Sequence, residues 1–170
     1  MKGSVFVLTL LLTSPALLAD ERNVDFDSTV DFSKFKTFTL REGQMTAKQP
    51  ELRSPLVRKR IEDSIRLQLV AKGLKEVPNQ GDIIATFRFG AANQQGVQSF
   101  PVGRLGRGRR VETFKFTEGT LVVDLLGRAG GQDLMWRGTY RDDESNPAKV
   151  GDKLPDDIKK LFQDYPPKKE

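Results

Sequence analysis

Four arginines set among glycines, Arg104, Arg107, Arg109 and Arg110 in the run from Arg104 to Arg110, are the residues of this chain whose type and spacing best fit binding chemistry. A guanidinium presents a planar fork of donors that matches phosphate or carboxylate oxygens in pairs. The run therefore fits recognition of an anionic lipid or glycan, while the plainer reading is a solvated, flexible loop whose charge aids solubility. Nucleic acid is a poorer match, because the neighbouring Phe100 alone does not build the stacking platform of single-strand binders. Gly103, Gly106 and Gly108 precede neither a Lys-Ser pair nor a helix start, so they do not form a phosphate-binding loop.

The second place is Asp124, which shares a strand face with Val122 and Leu126. A carboxylate among apolar neighbours needs a partner. Arg137 supplies one if the last two strands pair in that register, which makes a structural ion pair. The competing reading takes Asp124 as the one mid-strand carboxylate open to a hydrolase or transferase of an envelope substrate, although a second carboxylate at working distance is not evident. Asp142, Asp143 and Glu144 are consecutive and lack the spacing of a calcium loop, so a solvated turn is expected there. Trp136 and Tyr140 share one face of their strand with Arg137 on the other, a pattern that fits core more often than a ligand groove.

Two absences narrow the chemistry. The chain has no histidine and no cysteine, which removes the commonest general base near neutral pH and makes zinc, copper and haem sites very poor matches. No catalytic residue, metal or cofactor is expected. Without cysteine, stability must come from burial rather than cross-links, and the cysteine-linked lipid anchor has no attachment point.

The elements that would position these residues follow from periodicity. Asn23–Phe26 and Lys36–Leu40 read as short strands with a turn at Asp31–Lys34, and residues 41–53 read as a loop. Ser54 then Pro55 opens a helix whose Val57, Ile61, Ile65 and Leu69 recur on one face, and Gly73 ends it. Asp82–Phe89 alternates as a strand. A flexible Gly/Arg-rich loop is expected over 90–110, followed by Val111–Phe116 pairing with Leu121–Leu126, a reversal at 127–132 and a last strand, Leu134–Arg141. Leu154, Ile158, Leu161 and Phe162 keep helical spacing before Pro166 and Pro167. The pattern gives an α+β fold: a two-layer sandwich, largely an antiparallel sheet with two amphipathic helices on one face.

The start of the chain fixes the expected compartment. Lys2, the apolar run Val5–Leu12 and a cleavage region ending at Ala19 make residues 1–19 a signal peptide, leaving residues 20–170 as one α+β domain that is periplasmic or secreted. The remaining 27 basic and 23 acidic residues leave it mildly basic at +4. No second apolar run approaches the roughly 18 residues that span a bilayer.

Several segments taken in order resemble a known family. They are Val24-Asp25-Phe26-Asp27, Asp31-Phe32-Ser33-Lys34-Phe35-Lys36-Thr37-Phe38, Pro55-Leu56-Val57 with Arg60-Ile61, Glu118 to Leu125, Leu134 to Gly138, and Lys160-Leu161-Phe162 with Tyr165-Pro166-Pro167. Together they resemble the bacterial envelope family catalogued as domain-of-unknown-function family 4136. The resemblance implies an exported protein and no established activity, so no catalytic residue transfers. Many members carry a lipobox cysteine and this chain does not. The expectation is a non-enzymatic accessory or binding domain of the cell envelope, meeting an envelope protein or an anionic lipid or glycan. The alternatives are the carboxylate hydrolase or transferase and a purely structural envelope role.

Overall fold

The computed structural model describes residues 21–90, 95–102, 108–115, 119–128, 133–142 and 146–167, those within 95–115 as backbone alone. The segment read as a signal peptide lies outside the described residues.

The elements run β1 (Glu21–Phe26), β2 (Thr37–Leu40), β3 (Gln44–Met45), α1 (Pro55–Ala71), β4 (Lys75–Glu76), β5 (Ile83–Gly90), β6 (Gln95–Val102), β7 (Gly108–Lys115), β8 (Thr120–Gly127), β9 (Leu134–Arg141) and α2 (Pro147–Leu161). Single 3-10 turns at Phe32–Lys34 and Pro50–Arg53 fill two of the connections. Seven strands form one mixed, open sheet in the order β1-β9-β8-β5-β2-β4, with β3 also on β5. The fold is α+β. Its antiparallel part is β1-β9-β8-β5, in which only β8 and β9 are consecutive in the chain, whereas β2 pairs in parallel with both β4 and β5. Parallel neighbours need a crossover, and α1 provides it between β2 and β4.

Local sequence explains the helices. Ser54 accepts a hydrogen bond from the Val57 amide at 3.2 Å and Pro55 takes the first helical position. Val57, Ile61, Ile65 and Leu69 are buried, each such side chain adding roughly 1.5–3 kcal/mol by leaving water. Gly73 adopts φ +89°, which lets the Leu74 amide turn back to the Leu69 carbonyl at 3.1 Å. In α2, Val150, Leu154, Ile158 and Leu161 are buried, and Asn146 caps the start by accepting from the Ala148 amide. Both helices bury into one core with Phe38, Ile83, Ala85, Phe87 and Phe89 of the sheet. Trp136 stacks on Phe162 with centroids 5.1 Å apart, so Trp136 and Tyr140 are core residues rather than groove walls.

Two expectations are corrected. The loop expected over 90–110 contains β6 and most of β7, which pair with each other from Gln95↔Lys115 to Val102↔Gly108. Consequently Val111–Phe116 does not pair with Leu121–Leu126; β8 lies between β5 and β9 instead. The reason lies in β8 itself, which is buried at all eight positions and so requires a neighbour on each side and cover on both faces. The alternation of the last strand also breaks. A register shift at Leu125/Leu126 leaves Leu134 on the face of Ile84 and Leu126, while Met135 joins Trp136 in the helix-side core. A bulge of this kind places two consecutive residues opposite one partner.

Candidate functional site

On the sheet face away from the helix-side core, register brings Thr86, Asp124, Arg137 and Asp25 into one row across four strands. Asp124 and Arg137 are directly opposed. Arg137 Nε donates to Asp124 Oδ1 at 2.6 Å and Nη2 to Oδ2 at 3.1 Å, a two-pronged contact. Arg88, two residues further along β5 than Thr86, adds Nη2 to Oδ2 at 2.8 Å, within the diagonal reach of long side chains. Asp124 is 2% exposed and Arg137 9%, so the group is a buried Arg-Asp-Arg network joining β5, β8 and β9. Arg88 was not singled out in the sequence, though its alternation with Phe87 and Phe89 already places it on Asp124's face.

The acidic run after β9 is corrected at its first residue. Asp142 is buried, not solvated, and Lys153 Nζ contacts its Oδ2 at 2.9 Å. Asp143 and Glu144 lie outside the described residues. Beside Asp142, α2 presents Asp157, also buried, with Lys160 Nζ 3.6 Å from its Oδ1 and 3.5 Å from the Tyr140 hydroxyl. Burial pushes the Asp157 carboxyl above the usual carboxylate range and the nearby Asp142 adds to this; a hydrogen bond with Tyr140 and the charges of Lys160 and Lys153 oppose it. The signal was present: Asp157 falls seven residues after Val150 and three after Leu154, on the buried stripe of the helix.

Of the four arginines, Arg109 and Arg110 lie on β7, opposite Pro101 and Phe100. Arg104 and Arg107 lie outside the described residues, in the segment that connects Val102 to Gly108. Among the described residues no group of three acidic side chains could hold a metal ion, and no helix is long and apolar enough to cross a membrane.

A cleft of about 600 Å³ opens at the opposite end of the β5–β8 pair from the hairpin. Val30, Phe35 and Met135 form its apolar lining together with Gly127, and Lys34, Arg128 and Asp82 are its polar residues. The β1–β2 connection forms one wall. There Asp27 Oδ1 accepts from the Thr29 amide and hydroxyl, and Asp31 Oδ1 from those of Ser33. On the other wall Arg128 donates to the Gln80 carbonyl at 2.9 Å and to its Oε1 at 3.2 Å. Asp82 Oδ2 accepts from the Lys36 amide, the Thr37 amide and the Thr37 hydroxyl at 2.8–2.9 Å, and these bonds hold its carboxyl below the usual range. No feature of the sequence announced this site, because its residues come from three stretches that are distant in the chain: 30–35, Asp82 and 127–135.

A family model described as a domain of unknown function, DUF4136, matches residues 22–167. The chain belongs to the DUF4136 family. Among solved structures, this DUF4136 chain is similar to a DUF4136 family protein from Bacteroides thetaiotaomicron, at 14% identity and TM-score 0.60, with 86% of this chain and 96% of that one covered. That likeness concerns the fold. Weaker similarities are to a PDZ domain protein from Parabacteroides distasonis, at 16% identity and TM-score 0.49 over 88% of this chain and 36% of that one, and to PelC, a dodecamer from Paraburkholderia phytofirmans, at 11% identity and TM-score 0.48 over 85% and 95%. No curated protein matches the chain.

Proposed function

We propose that this DUF4136 chain is a non-enzymatic, exported accessory domain of the bacterial envelope that acts by binding, with the β6–β7 hairpin as its contact element and an anionic lipid or glycan surface as its counterpart. The observation that carries this reading is the hairpin's place in the fold. Gly90 and Thr120 are a paired position of β5 and β8, so a tight turn would have sufficed between them, yet the chain inserts two eight-residue strands that form a sheet of their own. A separate two-stranded hairpin is marginal alone in water. Its connecting segment and second strand hold Arg104, Arg107, Arg109 and Arg110, a concentration of guanidiniums suited to anionic oxygens. Asp124, the carboxylate an enzymatic reading would need, is engaged by two arginines and buried, which supports a structural role for it.

The test replaces the four arginines with serine. Retention on anionic vesicles or an anionic glycan should be lost with the fold intact; undiminished retention refutes the proposal, and co-purification of an envelope protein through an unaltered hairpin would transfer the role to a protein partner. Recovery of a form beginning at Asp20 from the envelope fraction tests export.

A further inference from the structure

We propose that β1 is a self-association edge: two copies of this chain join their β1 strands antiparallel across a two-fold axis, so that the two main sheets become one. The hydrogen bonding of β1 leaves one side of it unused. The Asp27 amide donates to the Met135 carbonyl at 2.9 Å, and the register from Glu21↔Arg141 to Phe26↔Trp136 runs unbroken into that contact. Opposed residues of an antiparallel pair alternate between exchanging both backbone bonds and exchanging none. Glu21, Asn23 and Asp25 therefore bond to β9, and Arg22, Val24 and Phe26 turn their N–H and C=O groups outward. β1 ends the strand order, and among the described residues no strand lies beyond it. Five of its six residues are exposed, including Phe26 at 40%. The opposite edge is protected by brevity, since β4 has only two residues. β1 carries no proline, lysine or bulge, and its Arg22 is drawn onto the end of α2, donating to the Lys160 carbonyl and to Asp164 at 2.7 Å.

The charge pattern of the strand selects a second copy and one register. Outward-pointing residues bond to outward-pointing residues, so the axis passes through Asn23, Val24 or Asp25 if more than one bonded pair is to form. An axis at Asn23 sets Glu21 against the partner's Asp25, and an axis at Asp25 sets that carboxylate against its own copy, both like-charge pairs. An axis at Val24 avoids both and bonds all three outward residues. It places Val24 against itself, Arg22 against the partner's Phe26, and Asn23 against the partner's Asp25, where an amide meets a carboxylate. At the strand ends Glu21 faces the partner's Asp27; Arg141, 2.6 Å from Glu21, and the Thr29 bonds to Asp27 answer those charges. The strand is thus complementary to itself, as an isologous interface requires.

Sedimentation equilibrium of the purified chain at micromolar concentrations should show a reversible monomer–dimer equilibrium. Val24→Pro should weaken the dimer about a hundredfold, tenfold for each of the two symmetric bonds removed. It should leave the circular dichroism of the monomer unchanged, because the lost N–H points outward and proline is tolerated on an edge strand. Phe26→Arg, which sets an arginine against the partner's Arg22, should weaken the dimer without altering the backbone. The chain has no cysteine, so Val24→Cys introduces a single thiol that should cross-link to its copy on oxidation. Asn23→Cys, two residues out of register with its copy, lies beyond disulfide reach and should not. A monomer at every concentration, a dimer that folded Val24→Pro or Phe26→Arg leaves intact, or cross-linking through Asn23→Cys in place of Val24→Cys overturns the proposal. A chain that stays monomeric, and whose Val24 amide gains exchange protection only when an envelope extract is added, also overturns it and gives the edge to a different protein. The four-arginine hairpin variant should dimerise normally, so this proposal and the hairpin reading fail separately.

Discussion

Asp124 shows how a single side chain can resemble a reactive group and serve as a rivet. Removing one partner from a buried ion pair leaves charge without compensation, at a cost of about 3–5 kcal/mol. Asp124→Asn should therefore lower unfolding free energy by that order in urea denaturation, because Arg88 and Arg137 would both lose their charged contact with its carboxylate. Arg88→Met should cost less, since Arg137 retains contacts with both carboxylate oxygens. At this scale the sequence was partly legible. Alternation placed Asp124 on an apolar face and matched it to Arg137, but Asp142 was misread because three consecutive acids look solvated when the helix that buries one of them is not in view.

Among the elements, α1 was the most readable, for its cap, proline, apolar stripe and terminal glycine all agree. Ser54→Ala should cost about 1 kcal/mol, measured by thermal or urea unfolding, through loss of the bond to the Val57 amide. Strand pairing was less readable. Proximity in sequence argued for Val111–Phe116 against Leu121–Leu126, yet the run Leu-Val-Val-Asp-Leu-Leu is too apolar for a strand near an edge and marks a central one. Since Gly90 and Thr120 already pair, replacing residues 91–119 with an Asn-Gly turn should preserve cooperative melting and sheet circular dichroism while removing retention on anionic surfaces. Loss of folding in that variant would show that the main sheet depends on the insertion.

For the molecule as a whole, acid carboxyls pull stability in opposite directions with pH. Asp27, Asp63 and Asp82 are held below the ordinary value of 3.8, chiefly by hydrogen bonds from Thr29, Lys59 and Lys36, so the stability they give is lost as pH falls through their lowered values. Asp157 does the reverse. Its raised carboxyl makes the folded chain hold a proton that the unfolded chain releases, so stability declines as pH rises from 3.8 through the raised value, and the penalty persists above it. Asp157→Asn should remove that decline and leave melting at neutral pH no lower than in the parent, as followed by calorimetry across pH. The placement of the hairpin and the cleft in the sheet is also defined. Ile83↔Gly127 and Gly90↔Thr120 are the two ends of one eight-pair ladder, about 24 Å apart at a rise of about 3.4 Å per residue. A molecule held to a surface by its hairpin would turn its cleft outward, giving the domain a polarity: one pole moored, the other facing away.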